Sequence, residues 1–207
     1  MRIRLTSLVF SSLTLFGFHS AAFSWTVDTI DGSVSVEKNG TTSKLDQDVE
    51  FAPGQTLITG PEASVTVKED DNQIVLSPGT RFLFEKAADR EKKQLGVFKV
   101  LSGRAHLTVT TKESAKDYPY QFKTSLLTAT THGTEISVLA GVGGLAEDRV
   151  DALNGAARVV VISNGGKTVE VTNGLEYYKT PESPGATRLI TPEENRILPH
   201  HGGGSHH

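Results

Sequence analysis

The sequence predicts an all-β fold: an irregular β-solenoid, or a β-roll or barrel-like single domain of short antiparallel and stacked strands. Three observations predict it. Apolar and polar residues alternate with period two over most of the chain after Trp25, a pattern that puts one face of a segment on a core and the other in water. The alternating residues are rich in Val, Ile and Thr, which suit a pleated surface. The segments are separated by Asn39-Gly40, Asn154-Gly155, Asn164-Gly165 and Asn173-Gly174, with Asp31-Gly32 and Pro78-Gly79 as further turn signals. Such pairs tolerate positive φ and favour tight hairpin turns. Short strands punctuated this often fit a sandwich, barrel or solenoid.

Taken from the start, residues 1–24 read as a secretory signal peptide. Arg2 and Arg4 precede an apolar stretch from Leu5 to Phe18, and small residues follow at Ser20, Ala21 and Ala22. That is the three-part layout of an export signal. Cleavage falls after Ala22 or after Ser24, the second being preferred. The apolar run is shorter than the ~20 residues a spanning helix needs. Removal takes away two arginines and no acids, moving the formal net charge from −3 to −5.

Residues 25–180 form the expected β domain. Val34 and Val36 alternate with Ser33 and Ser35. Ala63, Val65 and Val67 alternate with Ser64 and Thr66, and Ala105, Leu107 and Val109 with His106 and Thr108. Val159 to Ile162 are apolar in both phases, which predicts a central strand. Glu85 to Gln94 is densely charged and is read as a loop containing a turn of helix; Lys112 to Tyr120 is read as a connection. Glycines at 32, 103 and 155 each open an alternating run without a fixed spacing, so no regular repeat is expected. Residues 181–207, rich in Pro, Glu, Gly and Asn, are expected to be a flexible tail. Its last residues, with His200, His201, His206 and His207 around Gly202-Gly203-Gly204-Ser205, resemble a linker and tag fragment and support no functional reading.

Composition narrows the function. With 37% hydrophobic and 22% charged residues the chain can bury a core. No clustered Lys and Arg point to nucleic acid. The absence of cysteine excludes disulfides, thiolate metal sites, catalytic thiols and an acylated lipoprotein anchor. No G-x-S-x-G elbow, phosphate loop or paired metal-ligand spacing occurs, so neither a cofactor nor an enzymatic activity is expected. Glu69, Asp70, Asp71 and Asn72 are read as a solvated turn, Gly141 to Gly144 as a hairpin tip, and His106 as pointing outward or to a half-buried face.

The order of motifs resembles the FecR-like domain family. Pro53-Gly54-Gln55-Thr56-Leu57-Ile58-Thr59-Gly60 followed by the alternating run to Val67 resembles the family's opening. Asp71 to Thr80 is similar to its next hairpin and strand, Val97 to Val109 to the strand–Gly–strand that follows, and Thr128 to Val138 to the late Gly-Thr signature. Val159–Ile162, Val169–Val171 and Asn173-Gly174 match the closing strands and turn. Together they cover roughly residues 26 to 178. Two positions depart: His132 stands where arginine is usual, and Asn72-Gln73 replaces a Gly-Ser turn. The best-known members carry a sigma-factor-binding segment and a membrane helix before the domain, whereas here a signal peptide stands in that place. The resemblance therefore implies a stand-alone secreted member in the periplasm or outside a Gram-negative cell, acting as a protein-interaction module in envelope signalling or assembly. The alternative is a glycan- or peptidoglycan-binding module, for which Trp25, Tyr118, Tyr120, Tyr177 and Tyr178 are the aromatic candidates. Candidate binding residues are His132, Gly133 and Thr134 of the late signature, with Tyr177 and Tyr178.

Overall fold

A computed structural model of the chain describes residues 24–89, 92–109, 120–131, 135–141, 147–154, 156–161 and 167–190. Among the described residues there are seventeen strands and no helix. They are β1 (Trp25–Asp31), β2 (Val34–Lys38), β3 (Thr41–Lys44), β4 (Glu50–Phe51), β5 (Gln55–Thr59) and β6 (Ser64–Glu69). Then come β7 (Asn72–Leu76), β8 (Arg81–Lys86), the long β9 (Gly96–Thr108), β10 (Tyr120–Lys123), β11 (Leu127–Thr131) and β12 (Glu135–Ala140). The remainder are β13 (Asp148–Asn154), β14 (Ala156–Val161), β15 (Lys167–Thr172), β16 (Leu175–Lys179) and β17 (Ala186–Leu189).

The pairings resolve into two layers joined by β9. Sheet A runs β4-β1-β6-β7-β9-β12-β13-β16-β17. Sheet B runs β3-β2-β5-β8-β9-β10-β11-β14-β15. The first half of β9 pairs with β8 and β10 in sheet B, and its second half with β7 and β12 in sheet A. The sheet is thus continuous through β9, and it does not close into a barrel. Every pairing is antiparallel except β9 with β10. The strand from Ala156 to Val161 is flanked on both sides, by β11 and β15, as its two-phase apolar pattern predicts.

The core lies between the layers. Val65, Val67, Ile74, Leu76, Ala105, Leu107, Ile136, Val138, Val150 and Ala152 line it from sheet A. An aromatic cluster closes one end: Phe98 stacks on Phe82 (5.3 Å), Phe84 (4.8 Å) and Phe122 (5.4 Å), and Trp25 meets its edge at 5.5 Å. Each such ring pair contributes about 0.5–1.5 kcal/mol beyond area burial.

The turns behave in two ways. Asn39 and Gly40, at φ 52° and 77°, make the tight β2–β3 hairpin, the primed geometry that matches strand twist. Asp31-Gly32 and Asn173-Gly174 do not make hairpins; each carries the chain from one sheet to the other. Four such passages meet in one corner. Gly60 N donates to Ser33 O (2.9 Å), Gly79 N to Gly60 O (3.0 Å), and Thr80 N to the Thr59 hydroxyl (2.8 Å). Thr80 Oγ1 accepts from Arg104 N (3.0 Å) and donates to Arg104 O (3.1 Å). Gly103, at φ 84°, is the crossing point inside β9; a Cβ there would lie 2.6 Å from Thr80 Cα. Thr59-Gly60 and Gly79-Thr80 are therefore corner pieces, satisfying backbone groups where the chain changes layer.

Two segments depart from expectation. The 85–94 stretch contains no helix among its described residues: β8 runs to Lys86 and Asp89 bridges Gln94 in both directions (3.0 and 2.8 Å). Part of the expected tail is strand β17, paired with β16.

Candidate functional site

Alternation in sheet A sends the even phase of β9 and the odd phases of β12 and β13 away from the core. On that outer face, register aligns His106 with Ser137, Ser137 with Asp151, Asp151 with Glu176 and Glu176 with Arg188. One row of polar side chains thus crosses β9, β12, β13, β16 and β17. Arg104 and Arg149 flank it from the next row.

From β9 to β16 this row is buried, and at β17 it reaches water. Glu176 is 0% exposed, Asp151 3%, Ser137 1%, Arg149 7% and His106 8%. Buried charge requires partners, and the row supplies several of them itself. Arg149 Nε lies 2.9 Å from Asp151 Oδ1 and 3.5 Å from Glu176 Oε2; Arg188 Nε pairs with Glu176 Oε1 and its guanidinium lies 4.5 Å above the Tyr178 ring. His106 Nε2 lies 3.0 Å from Glu135 Oε1. Three carboxylates thus stand among three guanidinium groups and one imidazole. His106 Nδ1 and Ser137 Oγ, neighbours across the β9–β12 ladder, are buried and make no hydrogen bond among the described residues. Burial pushes the His106 imidazole below its ordinary value, Glu135 pulls the other way, and Arg104 adds to the lowering.

The aromatic candidates go elsewhere. Trp25, Tyr120 and Tyr177 are 1%, 6% and 3% exposed and belong to the core, so they form no surface platform. Tyr120 O–H donates to buried Glu69 and accepts from Asn72 Nδ2 (2.9 Å); Glu69 is therefore part of the interior, and only Asp70 and Asp71 make the tip of that turn. Tyr177 O–H donates to Pro184 O (3.3 Å), and burial raises its pKa. Tyr178 faces outward under Arg188. His132, Gly133 and Thr134, Tyr118, and residues 142–144 of the glycine-rich stretch lie outside the described residues.

The structure brings Tyr178 to the charged row and sends Tyr177 to the opposite face of the same strand. Sequence reasoning missed Arg149, Asp151 and Glu176. A signal was present: Arg149 and Asp151 alternate with Val150 and Ala152, and Glu176 stands between Leu175 and Tyr177, the pattern of strands with one charged face.

Each sheet also ends in a strand whose outer neighbour is absent among the described residues: β3 and β15 in sheet B, β4 and β17 in sheet A. All four residues of β3 and all four of β17 are exposed. Next to β3, Val36, Leu45, Val49 and Phe51 floor an open notch rimmed by Lys44, Asp46, Glu50 and Gln55. The segment 180–190 is held on β16 by consecutive grips: Lys179 Nζ donates to Thr180 O (2.6 Å) and to Ser183 O, and Ile190 N donates to Gly174 O (3.0 Å). No helix among the described residues is long and apolar enough to cross a membrane.

No family model and no curated protein matches the chain. Among solved structures, it is similar to two crystal structures, at 1.65 and 2.50 Å, of one protein of Parabacteroides distasonis ATCC 8503 described as a "putative anti-sigma factor". The TM-score is 0.56 and the identity 11%, over 68% of this chain. The chain spans 62% of that protein's length, and the likeness is one of fold.

Proposed function

We propose that the chain is a FecR-like β domain which, after loss of residues 1–24, serves in the periplasm or outside a Gram-negative cell as a non-catalytic protein-interaction module in envelope signalling or assembly. The observation that carries this reading is the fold likeness to the Parabacteroides protein described as an anti-sigma factor. Two features support it. Parts of the first three motifs of the FecR resemblance meet in a single corner of the fold, at Thr59-Gly60, Gly79-Thr80 and Arg104, with Ser33 beside them. Exposed edge strands β3 and β17 offer rows of backbone donors and acceptors of the kind used in strand addition. Export is supported by Trp25, a core residue that a chain cut after Ser24 retains as its first.

The glycan reading loses Trp25, Tyr120 and Tyr177 to the core and is not favoured. The test is cross-linking in cells producing the chain from Met1, with residues 200–207 replaced by an unrelated tag. The expected result is a mature N-terminus at Trp25 in the periplasmic or secreted fraction and one specific envelope protein in the cross-linked product. Capture of sacculus fragments with no protein partner would overturn the reading in favour of glycan binding, and retention in the cytoplasm would overturn it altogether.

A further inference from the structure

His106 occupies an unusual position. It sits in the second half of β9, the strand shared by both sheets, on the face that buries charge. Its Nε2 lies 3.0 Å from Glu135 Oε1 and 3.5 Å from Thr108 Oγ1, while its Nδ1 is buried without a hydrogen-bond partner among the described residues. Glu135 is the first residue of β12, with a side chain 39% exposed. The β12–β13 ladder is irregular just there: Glu135 pairs with Asn154 and Ile136 with Ala152, so Leu153 is bulged out. The start of β12 is therefore weakly tied on its β13 side and leans on β9, through Glu135↔Thr108 and Ile136↔Leu107.

The surroundings fix what a proton would do. From β7 the neighbours are Gln73 and Val75, which do not titrate. From β9 itself comes Arg104, from β12 Glu135, and one strand further, behind Ser137, Asp151 and Arg149 of β13. A neutral imidazole donates from Nε2 to the Glu135 carboxylate and leaves Nδ1 as an unpaired acceptor. A protonated one adds a buried N–H at Nδ1 with no acceptor, and a positive charge near Arg104; Glu135, half in water, compensates only in part.

We propose that His106 and Glu135 form a proton-operated latch, which holds the start of β12 on β9 while the imidazole is neutral and releases it on acidification. When the latch opens, His106 reaches water and titrates normally, so acid favours the open form. The segment released leads directly into residues 132–134. A compartment whose acidity follows the outside of the cell would operate such a latch, but the device rests on geometry and does not depend on the interaction-module reading.

The test is amide hydrogen exchange of the full chain at pH 7.5 and pH 5.0, corrected for intrinsic exchange rates. Protection of residues 135–138 and 105–108 is expected to fall several-fold at the lower pH, by about tenfold for each pH unit between the open and closed titrations. Protection of residues 98–100 is expected to stay level. His106→Gln, which still reaches Glu135 but takes no proton, should abolish the difference. Glu135→Gln, which removes the compensating charge, should enlarge it. A purely structural role would lower protection in both variants equally at both pH values, and that result, or a pH response surviving in His106→Gln, would overturn the proposal. If His106→Gln does not fold, the Glu135→Gln comparison and an NMR titration of His106 decide: a His106 that titrates at or above its ordinary value of 6.5 sinks the latch.

Discussion

On the outer face of sheet B, Glu85 sits between Lys99 at 2.6 Å and Lys123 at 3.0 Å, each of the three side chains about a third in water. On the outer face of sheet A, Glu176 sits between Arg149 and Arg188 with no exposure at all. Both are carboxylates held by two cations, from β13 and β17 on either side of Glu176 and from β9 and the next strand, β10, at Glu85. The cations differ in kind: lysine on the wet face, and arginine, whose planar fork is more weakly hydrated, on the dry one. The difference teaches that the same charge pattern carries different weight on the two layers. Water screens the first group and can replace any member of it. In the second, Glu176 itself is shut off from water and depends on its arginine partners.

The largest expected effect is at the seam between the layers. Gly103→Ala combines positive φ with a collision against Thr80 and should cost roughly 2–4 kcal/mol. Gly40→Ala has the same sign of φ but nothing within 4 Å of the new methyl, and should cost about 1 kcal/mol. In urea denaturation, a smaller penalty at Gly103 than at Gly40 would show that the corner yields.

The next effect separates the two faces directly. Glu176→Ala should lower unfolding free energy by about 1–3 kcal/mol, because buried Arg149 loses one of its carboxylates while keeping Asp151, whereas Glu85→Ala should cost less than about 1 kcal/mol. Urea denaturation of both variants measures it; equal losses would mean that the outer face of sheet A is as hydrated as that of sheet B.

The smallest effect is in pH dependence, and the two faces should divide it by window. The His106 value is lowered in the folded chain, so its contribution is complete above the ordinary value of 6.5 and is lost as pH falls through the lower folded value. The Glu85 value is lowered chiefly by its hydrogen bond from Lys99, so its contribution is present above 4.5 and lost only as pH falls below that. Thermal melts from pH 8 to pH 3 should therefore show the first loss vanish in His106→Gln and the second in Glu85→Ala. One variant flattening both windows would contradict the division.

Much of the fold was legible along the chain. The runs at Val34–Val36, Ala63–Val67 and Ala105–Val109 bury the apolar phase that alternation assigns to the core, and Asn39-Gly40 makes the hairpin its residue types demand. The charged row was not legible as a site. Period two defines two faces and says nothing about whether the polar one meets water; His106 reads as solvent-facing or half-buried until β7, β12 and β13 are set beside it. Asp31-Gly32 and Asn173-Gly174 carry a hairpin signal but serve as crossings, because a turn dipeptide specifies local φ and not which sheet the next strand joins. β17 was missed because Ala186–Leu189 is exposed on both faces and has no alternating burial to announce it.

By itself, the sequence determined that the chain is all-β, which phase of several runs faces the core, and that no disulfide supports them, since these depend on residue types and on contacts within a few positions. Only the tertiary structure decided that β9 serves both sheets, that β10 runs parallel to it, that four passages between the sheets converge on one corner, and that His106, Ser137, Asp151 and Glu176 on the polar phase of sheet A are shut away from water. Those outcomes rest on pairings between residues tens of positions apart, where each strand has several acceptable partners and the choice is made by how the whole set buries its surface and satisfies its backbone.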